Sequence, residues 1–153
     1  MNHHMIHLTR KEHFNAAHQL WNPDWSAEKN KEVFGKCANP NMHGHNFELL
    51  VTLVGTPHPD TGFLMDLKDL SRIIHERVLD IVDHSNLNLD VPFMLGKMAS
   101  TENLAMGIWE QLADVLRAPN YRLYSVQLFE TERNFVTYFG PDAPGVIPHF
   151  SHI

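Results

Sequence analysis

Only one cysteine, Cys37, occurs among the 153 residues. No internal disulfide can therefore brace the chain, and the thiol is either a core filler or a reactive group in a reducing compartment. No stretch approaches the roughly eighteen uninterrupted apolar residues that a membrane helix requires. The opening MNHHMIHL has neither a basic start nor an apolar centre, so no secretory leader is expected. A cytoplasmic protein without a membrane partner is the resulting expectation. Basic residues are scarce: 12 Lys and Arg stand against 18 Asp and Glu, for a formal net charge of -6 and a pI near 6.0. That balance argues against nucleic acid as a partner, because phosphate backbones demand a cationic contact face. A small anionic substrate stays compatible, since it needs only a local positive pocket or a metal ion. No HExxH helix and no Gly-x-Ser-x-Gly turn appears, which weighs against a general zinc hydrolase. Internal repeats, low-complexity tracts and long linkers are missing too, leaving one domain as the simplest organisation.

What is present is enough apolar residue, 43% of the chain, for one core, and an excess of histidine, twelve in all. His3 and His4 lie in a polar start and His149 and His152 in a Pro-containing tail, where solvated histidines are the simpler reading. Phe14, Ala16 and His18 alternate at period two and predict a strand over residues 9–20. Residues 21–41, with Pro23, Gly35 and Pro40, read as a long loop. FELLVTLVG predicts a second strand over residues 44–55 that pairs with the first as a long hairpin. Leu67, Leu70, Ile74, Val78 and Ile81 form one apolar helical stripe with Asp66 as N-cap. Ser100 to Asn103 start a second helix with Leu104, Ile108, Leu112 and Val115 on one face, and Pro119 bars its continuation. Strands over residues 121–131 and 135–140, joined by a turn at Glu132 to Asn134, complete the order ββααββ. The simplest layering of that order is an α+β fold, with two helices on one face of a four-stranded antiparallel sheet.

His43 and His45 sit at i and i+2, so in extended backbone both rings project from one side of a strand. His18, on the core-facing alternation of the neighbouring strand, can bring a third nitrogen. Three protein ligands leave zinc an open position, the arrangement of a catalytic site. Spacing also permits Cys37 to close the coordination sphere, giving a structural site without catalysis. Cys37 follows Gly35-Lys36 just ahead of the pair, where a nearby cation or metal would favour its thiolate and let it act as a base. Asp83-His84 can couple a carboxylate to an imidazole. Neighbours in extended chain point apart, however, so that contact demands a particular loop shape; a solvated pair at a helix end is the simpler alternative. Glu130 should share a strand face with Val126 and Leu128, where an acid is out of place unless it reaches solvent or takes a ligand with adjacent N–H donors. Glu102 is explained by its place in the first turn of a helix.

The runs FNAAHQL, SAEKNKEVFGKCANPNMHGHNFELLVTL, DHSNLNLDVP, STENLA and FETERNFVTY resemble, in order, the 6-pyruvoyltetrahydropterin synthase and 6-carboxytetrahydropterin synthase family. The likeness spans Phe14 to Gly140, and the Cys-x5-His-Gly-His spacing is its specific part. The resemblance implies the tunnelling fold (T-fold), in which each subunit supplies a four-stranded antiparallel sheet and two helices, three subunits close a barrel, and two trimers stack into a homohexamer. It implies Zn2+ on His18, His43 and His45, catalysis by Cys37, Asp83 and His84, and pterin binding by Glu130, Thr101 and Glu102. It implies a lyase that converts 7,8-dihydroneopterin triphosphate to 6-pyruvoyl-tetrahydropterin by triphosphate elimination, without an external redox cofactor. The sister activity, 6-carboxy-5,6,7,8-tetrahydropterin synthesis for queuosine, belongs to enzymes with a shorter gap between cysteine and His-Gly-His. A non-catalytic zinc- or pterin-binding protein is the rival from another class. Residues 1–140 form the expected pterin synthase domain, and residues 141–153 a C-terminal extension with no catalytic assignment.

Overall fold

The computed structural model describes residues 4–143, so His3, His149, His152 and all but the first three residues of the 141–153 extension lie outside the described residues. Two thirteen-residue strands, β1 (Ile6–His18) and β2 (His43–Gly55), form the long antiparallel hairpin that the alternation predicts, paired from Ile6↔Gly55 to His18↔His43. β5 (Tyr121–Phe129) pairs antiparallel with β2, and β6 (Phe135–Tyr138) antiparallel with β5. Two pairs of residues extend the sheet beyond the expected four strands. β3 (Ser85–Asn86) runs parallel to Ala16–Ala17 of β1, and β4 (Arg117–Ala118) pairs with the start of β5. The sheet is therefore six-stranded and mixed, in the order β3-β1-β2-β5-β4 with β6 also on β5. Two-residue strands carry no periodicity, so only tertiary contact creates them.

The long loop expected over residues 21–41 holds a helix instead. α1 (Ala27–Phe34) starts at Ser26, whose side chain accepts from the Lys29 amide, and runs into a 3-10 turn at Gly35–Ala38. Its buried residue is polar: the Asn30 carboxamide accepts from Asn22 N and donates to Asn22 O. A short helix that packs through a side-chain amide shows no apolar stripe, which is why the pattern missed it.

α2 (Leu67–Ile74) begins at Asp66, whose carboxylate accepts from Lys68 N at 2.8 Å. A π-helical turn at His75–Leu79 then leads into α3 (Asp80–Val82). The wider turn shifts the helix phase, so Leu70, Ile74 and Val78 are followed into the core by Leu79 and Val82, while Ile81 is left at the margin. Leu67, expected on the stripe, is exposed beside the cap. A 3-10 turn at Pro92–Met94 precedes α4 (Thr101–Leu112), capped by Ser100 and buried through Leu104, Ile108 and Leu112. The helices share one sheet face, α2 and α3 against β1 and α4 against β5 and β6. Phe14, Phe47, Leu49, Val51, Leu53, Val126 and Leu128 fill the space between the layers. The other face is mixed: Thr9–Thr52, Lys11–Glu48 and Gln127–Thr137 contacts lace it, and Phe129 stacks on Phe135 there.

Candidate metal and pterin site

The register of the β1–β2 hairpin builds the site. His18 lies directly across from His43, and His45 lies across from Ala16. Cross-strand partners project to the same side, and i, i+2 neighbours do likewise, so three rings crowd the helix-covered face at one end of the sheet. Ala16, the small residue opposite His45, leaves room for the rings to turn toward one another. His18 Nε2 stands 3.0 Å from His43 Nε2 and 3.1 Å from His45 Nε2. A Cβ on Gly44 would meet the Ala16 carbonyl oxygen at 3.2 Å, so glycine eases the close strand approach.

Beneath the rings, Phe47 packs edge-on to His45 and His18 and stacks on Phe14, 4.9 Å between centroids. Burial, reinforced by a neighbouring imidazole and opposed only in part by Glu130, lowers the pKa of all three histidines from the usual 6.5, so they are neutral near pH 7. His18 Nδ1 donates to the Ala99 carbonyl at 2.7 Å. That bond places the ring hydrogen on Nδ1 and leaves the Nε2 lone pair facing the cluster. Neutral imidazoles with convergent nitrogens fit a divalent metal, and among the described residues His18, His43 and His45 are the group with such spacing. Cys37 is not a member, which removes geometric support from the closed, four-ligand version.

Glu130 follows the last residue of β5 and keeps to the helix side, as the alternation requires. Its Oε1 lies 3.0 Å from His45 Nε2, and its other oxygen accepts from Thr101 Oγ1 at the start of α4. The half-buried acid thus has partners within the chain. Thr101, Glu102 and Glu130 line one cleft of about 250 Å³ together with Arg133, Asn134, Phe135 and Val136. Sequence reasoning missed all four: Arg133 and Asn134 lie in a turn, which gives no pattern that points into a cavity, and Phe135 and Val136 read only as strand residues. Asp83 meets His84 through the loop shape that adjacency demands: His84 has a φ of +56°, and its Nδ1 lies 3.0 Å from Asp83 Oδ2. Asp83 Oδ1 accepts from Asn15 N, and that bond, with help from His84, holds the carboxyl below its usual pKa. Cys37 is half-buried in the turn after α1, and its carbonyl accepts from Leu20 N at 2.9 Å. Among the described residues no hydrogen bond joins Cys37 to Asp83 or His84.

A helix-backed antiparallel sheet that gathers three neutral imidazoles beside an acid-lined cleft defines an α+β protein with a histidine site suited to a divalent metal. The 6-pyruvoyl tetrahydropterin synthase family profile matches residues 7–141. A 6-pyruvoyl tetrahydrobiopterin synthase of Pongo abelii is 43% identical over 133 residues, covering 87% of this chain and 90% of the relative. The solved 6-pyruvoyl tetrahydropterin synthase of Caenorhabditis elegans superposes with a TM-score of 0.85 at 39% identity, over 92% of this chain and 99% of that one. A 6-carboxy-5,6,7,8-tetrahydropterin synthase of Bacillus subtilis is more distant, 25% identical over 86% of this chain and 83% of the relative. The chain belongs to the 6-pyruvoyl tetrahydropterin synthase family, a family of enzymes.

Proposed function

We propose that this protein is a zinc-dependent 6-pyruvoyltetrahydropterin synthase, a phosphate-eliminating carbon–oxygen lyase acting on 7,8-dihydroneopterin triphosphate. The observation that carries the reading is the convergence of three neutral Nε2 atoms, in a chain of this family, next to a cleft lined by Thr101, Glu102 and Glu130. His18, His43 and His45 would hold the metal. When bound, zinc supplies Lewis-acid polarisation of the substrate's side-chain oxygens, which makes the protons on the adjoining carbons easier to remove.

The chain's own groups do the rest. Glu130 can accept paired N–H bonds from a pterin edge, and the Thr101 hydroxyl fixes one of its oxygens in advance. Glu102 borders the same cleft. Cys37 takes a proton as thiolate, and His84, oriented by Asp83, carries the other. Residues 1–140 act as the pterin synthase domain, the extension has no catalytic part, and the protein works in the cytoplasm. Open sheet edges support assembly: among the described residues, β6 pairs only with β5, and β1 before Ala16 pairs only with β2. Such edges accept a strand from another copy. A homohexamer, a dimer of trimers, would let Cys37 of one subunit meet the Asp83-His84 pair of the next.

Incubating the purified protein and zinc with dihydroneopterin triphosphate, then weighing the pterin product, tests the reading. A pyruvoyl product is expected; a carboxy product would move the chain to the queuosine branch, and no product would reject both. Cys37→Ala should keep close to one zinc per chain yet lose turnover. Loss of zinc in that variant would support a non-catalytic, closed metal site instead.

A further inference from the structure

β1 ends at His18, but the two residues that follow are hydrogen-bonded too. Gln19 N donates to Asn88 Oδ1 at 2.8 Å, and Asn88 Nδ2 donates back to Gln19 O at 2.9 Å. A carboxamide presents one acceptor and one donor in a plane, so Asn88 imitates the edge of a neighbouring strand and fixes the Gln19 backbone. From that fixed backbone the Gln19 side chain donates through Nε2 to Ala38 O at 2.9 Å, beside the bond from Leu20 N to Cys37 O at 2.9 Å. The turn that carries Cys37 is short, spans only Gly35–Ala38, and begins at a glycine with a φ of +55°. Its attachment to the histidine strand therefore runs through Gln19 and Leu20.

The same loop that supplies Asn88 is registered on β1 in three further places. His84 N donates to Asn15 O, Leu87 N to Ala17 O, and Asn15 N to Asp83 Oδ1. One end of one strand thus indexes His18, the Cys37 turn and the Asp83-His84 pair against each other.

We propose that Gln19 is a positioning residue for Cys37, held in place by Asn88. The inference rests on the reading of Cys37 as the proton-accepting thiol. Loss of the Gln19 donor frees the Ala38 carbonyl and lets the turn drift relative to His18, while the imidazole cluster, held by strand register and the Ala99 carbonyl, stays intact. A proton acceptor displaced by a fraction of an ångström slows the proton-transfer step more than it weakens substrate binding.

The test uses full-length, zinc-loaded protein carrying Gln19→Met, which keeps the length and removes the donor, Gln19→Arg, which restores a donor at that reach, and Asn88→Ala. Cys37 is the sole thiol of the chain, so its alkylation by iodoacetamide reads its environment without interference. For Gln19→Met, kcat should fall by about 10- to 100-fold while KM stays within about two-fold. Zinc should remain near one per chain, and the alkylation rate of Cys37 should change. Gln19→Arg should recover most of the lost kcat, and Asn88→Ala should shift both readouts in the direction of Gln19→Met. Unchanged kcat and alkylation in Gln19→Met, zinc loss in step with activity, or failure of Gln19→Arg to restore kcat would each overturn the proposal. If the unaltered protein turns over no dihydroneopterin triphosphate, the functional reading falls, while the alkylation rates still decide whether Gln19 and Asn88 hold the Cys37 turn.

Discussion

Replacing Phe47 by alanine should destabilise the protein more than any comparable change on its surface. Phe47 is fully buried, stacks on Phe14 with an interplanar angle of 12°, and packs beneath His45 and His18. Truncating a ring in such a place removes its transfer free energy and leaves a cavity that close-packed neighbours fill only in part. The cost is about 3–5 kcal/mol. For a domain of this size, about 2–4 °C of melting temperature accompanies each kcal/mol, so the transition should fall by roughly 6–20 °C. Phe63→Ala makes the same chemical change at a residue that is 57% exposed. Its effect should stay within about 0.5 kcal/mol. Both variants are to be melted by circular dichroism with a chelator present and at one protein concentration, so that neither metal binding nor association enters the comparison. The reasoning fails if Phe63→Ala matches Phe47→Ala, or if Phe47→Ala melts within about 2 °C of the parent protein.

Three more outcomes follow from the same geometry. His45→Ala should bind well under half the zinc of the parent chain by metal analysis after dialysis, because two imidazoles and no thiol remain at the site; retention of full zinc would place the metal elsewhere. The pKa values of His18, His43 and His45 are lowered from 6.5 in the fold, so below that pH the unfolded chain binds more protons than the folded one. Metal-free protein should therefore lose stability as the pH falls through about 6.5, and a variant with all three histidines replaced by glutamine should show a flatter urea-midpoint profile there. Ser26→Ala should cost about 1 kcal/mol, measured as a shift in the urea midpoint, because the hydroxyl accepts from Lys29 N at the start of α1.

Alternation and spacing are local properties, and the long strands and helix starts they mark recur in the fold, although Leu67 and Ile81 of the helical stripe fall outside the core. Period-two burial of Phe14, Ala16 and His18 marked β1, and FELLVTLVG marked its partner. The caps at Asp66 and Ser100 stand where side-chain oxygens and apolar steps placed them. The same logic put His43 and His45 on one side of a strand and Glu130 on the face of Val126 and Leu128. The resemblance named the family.

Other features need contacts that no window of sequence contains. The helix α1 is fastened by the Asn30 amide rather than by an apolar face, so it was hidden inside what read as a loop. The π-helical turn at His75–Leu79 shifts the core from Ile81 to Val82, a change of helix phase that no regular 3.6-residue period anticipates. β3 and β4 exist only where a neighbouring strand presents free backbone groups. Amino-acid order by itself determined which side chains share a face, since that depends on a fixed backbone period. Only the tertiary structure decided that His18 stands opposite His43 and gives its Nδ1 hydrogen to Ala99, and that Asn88 holds Gln19 against the turn of Cys37. Those contacts join residues far apart in the chain, and their geometry is set by strand register and loop closure.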